Sequence, residues 1–411
     1  MTDAKSDNHL DHKKLNVLFV SHTPNLTGGA DFCLKEILEN IDREKVSPHV
    51  VLPKNTATAK SGFVNFLSEH EIPFSLSEII HWIDYSSYGK VSRRRLILRF
   101  FRTLPARIVS FVKIVNQNKI DLIYTNTVTV VEGALAAKIT GKPHIWHIHE
   151  AISGNNDLLP IFPEKWHRRV IDCLSNKKIF PSSYLAFQVY QFYKGSEKSI
   201  IVPNGVDISR FKPDKTARSW LSKLIEIADS TNRIVSVGNL TESKRMDDYI
   251  RAVALSESAR GKCVFIIIGS GKSQKRDSLI ALSKQLGVFD KVKIISWSGQ
   301  IEKIIAGSDV LVITSGQETF GRTAIEAMAC GVPVVSTDCG GPGEIIDHGE
   351  TGLLTPVGSP EQTAAAIDRL MLDPDYADSI ADKALNKVKE SYDLRTYVAQ
   401  IEKIIVVFKS T

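Results

Sequence analysis

The chain has 411 residues, 43% hydrophobic and 24% charged, the composition of a folded globular protein too long for one ordinary core. Its five cysteines (Cys33, Cys173, Cys263, Cys330, Cys339) lie apart with no CxxC pair, which argues against a disulfide framework or zinc site and for a reduced, cytoplasmic setting. A formal charge of +6 is mild for this length, so its placement matters more than its sum.

Met1 to Lys14 is polar and charged, unlike a secretory signal. The first apolar run, Leu15–Val20, falls far short of the roughly 20 residues that span a bilayer, and no later run reaches that length. The expectation is a chain that is soluble or lies on a membrane without crossing it. Leu15–Val20 reads as a buried strand, followed by a turn with Gly28-Gly29-Ala30 and a helix over Phe32–Ile41. Further strands are expected at Val50–Leu52, Leu122–Thr125, Ile145–His149 and Lys178–Pro181, with helical stretches between them. Strands alternating with helices imply a parallel sheet covered on both faces.

Between Tyr85 and Ile120 there is no Asp or Glu, while Lys90, Arg93, Arg94, Arg95, Arg99, Arg102, Arg107, Lys113 and Lys119 all fall there. Leu96, Ile97, Phe100, Phe101 and Leu104 recur at helical spacing among the arginines. For residues 90–104 this pattern suits a basic amphipathic helix on anionic lipid. For residues 107–118, where Ile108, Phe111, Val112 and Val115 continue the spacing, an ordinary helix packed on a sheet is expected. No nucleic-acid motif accompanies the cluster, so nucleic acid is not expected as a partner.

After Ile200–Asp207, read as a strand stub and turn, the α/β pattern restarts. Strands are expected at Arg233–Val237, Val264–Ile268, Lys293–Ser296, Val310–Thr314 and Val332–Ser336, with a final apolar helix over Tyr397–Phe408. The chain thus divides into an N-terminal Rossmann-like domain (residues 1–200), a C-terminal one (201–390) and a last helix (391–411) that folds back on the first. Ligands of such sheets bind beyond the carboxyl ends of the strands, so two facing domains create a cleft lined by strand-to-helix loops.

One loop misleads. Gly269-Ser270-Gly271-Lys272-Ser273 imitates a phosphate loop, but Ile266 occupies the position of the first glycine. As a dinucleotide fingerprint it fails too, because Gln274 stands where the third glycine belongs.

The informative segment is Ser315 to Pro333. It leaves a strand and enters a helix near Gly321, where backbone N–H groups and the helix dipole suit a diphosphate. Glu318 in the loop and Glu326 about two turns along the helix are acceptors for sugar hydroxyls.

Glu318 and Glu326, followed by Ala327-Met328-Ala329-Cys330-Gly331-Val332-Pro333, closely resemble the signature of glycosyltransferase family 4. The resemblance runs through Gly28-Gly29-Ala30, His149-Glu150, Pro203-Asn204-Gly205-Val206-Asp207, Val237-Gly238 with Lys244, Gly340–Glu344 and Gly349–Leu354, nearly the whole chain. It implies the GT-B fold, an α/β pair of doubly wound Rossmann-like domains, and a retaining transfer from a nucleotide-diphosphate sugar.

By the same resemblance Glu326 would hold the ribose hydroxyls. Glu318, with the backbone of Thr319, Phe320 and Gly321, would contact the transferred sugar. Lys244 would neutralise the leaving diphosphate, and Gly28 and Gly29 would let backbone approach the phosphates or the acceptor. His149 would face the reacting sugar; a purely structural role capping its strand is the competing reading. Where the family usually places Arg after Val237-Gly238, this chain has Asn239, and Arg245 beside Lys244 is expected to supply the missing charge.

No Asp-x-Asp motif is picked out along the chain, which fits the GT-B fold that the resemblance implies, and neither a metal nor another cofactor is expected. Basic side chains and helix dipoles would balance the diphosphate instead. The acceptor would be a saccharide or lipid-linked saccharide at the inner face of the plasma membrane, in cell-envelope polysaccharide or glycolipid assembly. Asn239 also leaves open a non-catalytic sugar-nucleotide-binding subunit, and the architecture a nucleotide-sugar epimerase. No residue near Gly269 or Ser296–Gly299 decides the donor base.

Overall fold

The computed structural model describes residues 14–54, 56–58, 61–85, 93–154, 158–192, 195–296 and 299–410. In the N-terminal half the strands are β1 (Leu15–Val20), β2 (Val46–Pro53), β3 (Phe74–Ser77), β4 (Ile83–Tyr85), β5 (Leu122–Thr125), β6 (His144–His147), β7 (Leu158–Pro160), β8 (Lys177–Phe180) and β9 (Ser199–Ile201). Helices α1 (Gly29–Asn40), α2 (Gly62–Glu69), α3 (Arg93–Gln117), α4 (Glu132–Thr140) and α5 (Glu164–Leu174) lie between them. Seven strands form a parallel sheet in the order β3-β2-β1-β5-β6-β8-β9, while β4 and β7 pair antiparallel beside it.

The C-terminal half repeats the plan. Strands β10 (Asn232–Val237), β11 (Cys263–Ile268), β12 (Val292–Ile295), β13 (Val310–Ile313), β14 (Val334–Thr337) and β15 (Leu353–Thr355) form a second sheet in the order β12-β11-β10-β13-β14-β15. Strands such as β11 and β13 are buried along their whole length, as continuous Val/Ile/Leu runs between two helical layers must be. The layers are α6 (Ala217–Ile225), α7 (Met246–Leu255), α8 (Ser273–Gln285), α9 (Ile301–Ala306), α10 (Arg322–Ala329), α11 (Gly341–Ile345), α12 (Pro360–Leu372) and α13 (Pro374–Ser391).

The last helix, α14 (Leu394–Val406), returns to the N-terminal half. Its Leu394, Tyr397, Val398, Ile401 and Ile405 are buried in the same cluster as Leu15, Val17 and Leu34. The chain therefore crosses between halves twice, and the crossings are bonded to each other. Val206 N–H donates to the Tyr392 carbonyl (2.8 Å), and Leu394 N–H donates to the Val206 carbonyl (3.1 Å).

In each sheet the chain runs outward to one side and then returns to the other. The reversals fall between β1 and β5 and between β10 and β13. Loops leaving these neighbouring strands diverge, and the gap between them is where an open α/β sheet receives ligands.

Candidate active site

The gaps of the two sheets face each other and merge into one cavity of about 550 Å³. Nine of the ten expected site residues line it: Gly28, Gly29, His149, Lys244, Glu318, Thr319, Phe320, Gly321 and Glu326.

The C-terminal wall is a loop held by its neighbours. Gly316 N–H donates to the Ser243 carbonyl (2.8 Å), Glu318 N–H to that of Cys339 (3.1 Å), and Gly341 N–H to that of Glu318 (2.9 Å). Gly321 then turns the chain into α10 with φ +104°, a backbone that L side chains avoid. The Glu318 carboxylate accepts from Ser315 Oγ (2.7 Å) and from the Lys244 ammonium. A cation and an anion thus stand together beside the start of α10, which adds its own positive dipole end.

Glu326 is one face of α10 further in. Burial raises its pKa, while the Arg322 charge opposes that rise. Arg322 Nη2 lies 3.6 Å from Glu326 Oε1, and Arg322 also reaches across the cleft, donating from Nη1 and Nη2 to the Glu36 carboxylate of α1 (2.8 and 2.7 Å).

On the N-terminal wall, burial first, and then the Arg322 and His22 charges, push the His149 pKa down to about 3. The ring is therefore neutral near pH 7. Asn126 fixes its tautomer. Asn126 Nδ2 donates to the Ala30 carbonyl (2.8 Å), so its Oδ1 is the acceptor that faces His149 Nε2 at 3.2 Å. Nε2 must carry the proton, and Nδ1 keeps its lone pair. The same amide ties His149 to the Gly28-Gly29-Ala30 turn. Asp31 closes that turn by accepting from Gly28 N–H (2.9 Å) and Thr27 N–H (3.2 Å).

Arg245 is the exception and corrects the expectation that it replaces the arginine missing at Asn239. Its backbone is left-handed (φ +47°), which swings the side chain out of the cavity. Nε donates to Asp248 of α7 (2.6 Å), and a Cβ built on Gly358 would lie 3.2 Å from Nη2. Asn239 does line the cavity, and the arginine that lines it is Arg322. Sequence reasoning missed Arg322 and Asn126. The available signal for Arg322 was its i,i+4 spacing to Glu326 on one helix face.

The glycines at 269 and 271 have a packing role. A Cβ at Gly269 would lie 1.8 Å from the Gly238 carbonyl oxygen, so the loops after β10 and β11 can touch only without one. The chain also carries an Asp-x-Asp triplet, Asp373-Pro374-Asp375, contrary to the sequence reading. It opens α13, where the Asp373 carboxylate accepts from Tyr376 N–H (3.1 Å) as a helix cap.

The basic stretch departs from expectation in part. Residues 90–92 lie outside the described residues. In α3 the apolar stripe faces the protein: Phe100 is buried, and Leu96, Ile97 and Leu104 pack around the cluster of Trp82 and Trp146. The outer face keeps Arg94, Arg95, Arg99 and Arg102 with Leu98 and Phe101, which are 69% and 49% exposed. Phe101 meets Phe162 (ring centroids 5.6 Å), and Phe162 meets Trp166 of α5 (4.7 Å), itself 46% exposed. Among the described residues no helix is long and apolar enough to cross a membrane.

Residues 221–387 match the family described as glycosyl transferases group 1, and residues 27–210 match glycosyltransferase family 4. An uncharacterized glycosyltransferase of Methanocaldococcus jannaschii is 30% identical over 294 residues, 68% of this chain and 73% of that protein. N-acetyl-alpha-D-glucosaminyl L-malate synthase of Bacillus anthracis is 30% identical over 195 residues, 47% of this chain and 49% of the synthase. The chain thus spans only about half the length of that relative. Among solved structures, Anabaena HepE in complex with UDP superposes with a TM-score of 0.76 at 26% identity, covering 96% of this chain and 100% of that one.

Proposed function

The chain belongs to the glycosyltransferases of group 1 and family 4, with the GT-B fold, and from that premise we propose that it is a retaining, metal-independent hexosyltransferase. It moves a sugar from a nucleotide-diphosphate sugar to a hydroxyl of a saccharide or lipid-linked saccharide. The observation that carries this reading is the gathering of Lys244, Glu318 and Glu326 around the start of α10, opposite a neutral His149. The UDP held by HepE supports a nucleotide diphosphate as the leaving group.

Each residue has a task set by its environment. Glu326 accepts the two ribose hydroxyls. Lys244 is drawn from Glu318 towards the diphosphate as negative charge develops there. Glu318 then turns to the hydroxyls of the transferred sugar. The lone pair on His149 Nδ1 accepts a sugar hydroxyl from the other wall. The bond from the anomeric carbon to the diphosphate oxygen breaks as the acceptor oxygen bonds on the same face. The acceptor's proton passes to the departing phosphate, so no protein nucleophile is required.

Turnover of a nucleotide sugar should continue in excess EDTA, and NMR of the first-formed product should show the anomeric configuration of the donor. An inverted product, or activity abolished by EDTA and restored by a divalent ion, would overturn the corresponding part of the reading.

A further element concerns location. The outer face of α3, with Phe101, Phe162 and Trp166 beside four arginines, lies on anionic lipid at the inner face of the plasma membrane, close to a lipid-linked acceptor. This serves cell-envelope polysaccharide or glycolipid assembly. The protein should float with phosphatidylglycerol vesicles and not with neutral ones, and the Phe101→Ser/Trp166→Ser variant should float poorly. Equal flotation of variant and wild type would remove this element and leave the chemistry standing.

A further inference from the structure

Arg322 stands between two carboxylates on opposite sides of the cleft. Glu36 of α1 takes the guanidinium through two nitrogens at 2.8 and 2.7 Å, and Glu326 of α10 lies 3.6 Å away. The three side chains are 13–14% exposed, so water screens these charges little. The arginine stem also runs beneath the acceptor-side turn: a Cβ built on Gly29 would lie 3.5 Å from Arg322 Cδ. Other bonds from this region to the N-terminal half end elsewhere. Gln317 donates to the Ser153 carbonyl, the Thr319 carbonyl accepts from Ser182, and Glu344 accepts from the Ser183 and Tyr184 amides.

We propose that Arg322 is a positioning residue that transmits nucleotide occupancy across the cleft, orienting Glu326 for the ribose and drawing α1 inward through Glu36. This inference rests on the function proposed above and deepens it: donor binding would set the Gly28-Gly29 turn before an acceptor arrives. The direction follows from sharing one cation between two anions. Ribose hydroxyls donating to Glu326 spread its charge and weaken its hold on Arg322. The guanidinium is then left to Glu36, whose fork geometry it already satisfies. Because α1 begins with Gly29 and its Ala30 carbonyl is tied through Asn126 to His149, movement of α1 reaches the glycine turn and His149 together.

The test needs no acceptor. UDP affinity is measured by calorimetry, and hydrogen exchange of the α1 amides is followed with and without UDP, for wild type, Glu36→Gln, Glu36→Asp and Arg322→Lys. In the wild type UDP should slow exchange at residues 31–38 by about tenfold, within the usual range of coupling between sites. Glu36→Gln should bind UDP within about threefold of wild type yet lose most of the slowing, because the charged fork to α1 is lost, leaving only the weak bond from Arg322 Nη1 to Cys33 Sγ (3.2 Å), while Glu326 keeps its partner. Glu36→Asp should restore part of it. A purely structural salt bridge would instead raise α1 exchange equally with and without UDP.

Full UDP-dependent slowing in Glu36→Gln would overturn the coupling while leaving the transferase reading intact. If Glu36→Gln does not fold, Arg322→Lys keeps the charge without the fork and should lose the slowing in the same way. Wild-type protein that binds none of UDP, GDP or ADP would instead overturn the donor reading, and the coupling built on it.

Discussion

Lys244 and Glu318 neutralise each other in the cleft wall, and each is therefore poised for a partner that the donor brings. Replacing Lys244 by alanine removes a cation aimed at the leaving diphosphate and should lower turnover by about 10²-fold. It should also leave Glu318 in the wall without its counter-charge; steady-state kinetics on the nucleotide sugar checks the first effect directly. His149 makes a pH prediction. Its pKa of about 3 keeps it neutral from pH 5 to 8, so an activity limb near the ordinary histidine value of about 6.5 should not belong to it. A limb near that pH that disappears in His149→Ala would contradict the assignment. These residues were legible because each follows a strand end or a glycine turn in the sequence. Asn126 and Arg322 were not, because their meaning lies in partners far along the chain: Ala30 is 96 residues away, and Glu36 is 286. Arg245 was misjudged for the same reason, since its position beside Lys244 says nothing about a left-handed backbone that turns it towards Asp248.

At the scale of elements, the buried strands and the α1 and α10 turns could be read from apolar runs followed by glycine, with ends shifted by a residue or a few. Strands β3, β4, β7 and β15 were missed: Phe74–Ser77 and Leu353–Thr355 are short edge strands without a long apolar run, and Ile83–Tyr85 and Leu158–Pro160 are three-residue strands paired only with each other. The stripe on α3 was read as amphipathic, but of its residues only Phe101 lies on the exposed side, while Leu96, Ile97, Phe100 and Leu104 face the protein. Periodicity identifies an apolar face but not what covers it, and here Phe100 and Leu104 belong to the cluster around Trp82. Gly205 explains part of a motif that resemblance alone had supplied. A Cβ there would lie 2.7 Å from Leu394 Cα and 2.9 Å from Tyr397 Cβ, where α14 begins. Gly205→Ala should therefore cost about 1–3 kcal/mol, the usual range for overpacking, by pushing α14 off the N-terminal half. Urea denaturation gives the value, and an unchanged midpoint would show that α14 gives way freely.

The two similar halves of the molecule differ in their buried histidines, and should therefore differ in sensitivity to acid. His81, His144 and His149, with pKa values lowered to about 3, 4 and 3 by burial, and His147, lowered well below its ordinary value, all lie in the N-terminal half. Unfolded, each binds a proton near pH 6.5, so between there and about pH 4 the unfolded state holds more protons than the folded one. Their contribution is fully present above pH 6.5 and falls away as the pH drops towards the folded values. Hydrogen exchange between pH 6.5 and 4 should show the N-terminal half losing protection first; an earlier loss in the C-terminal half would oppose this account.

Both halves meet at the donor, and the most direct test is there: a thermal-shift comparison of wild type and Glu326→Ala with UDP, GDP, ADP and their common sugar conjugates. A ligand that binds only the folded state raises the melting temperature. One nucleotide series should stabilise the wild type, and Glu326→Ala should lose that stabilisation while melting near the ligand-free wild type. Wild-type protein stabilised by none of these ligands would contradict the donor reading, and equal stabilisation of the variant would remove Glu326 from the ribose.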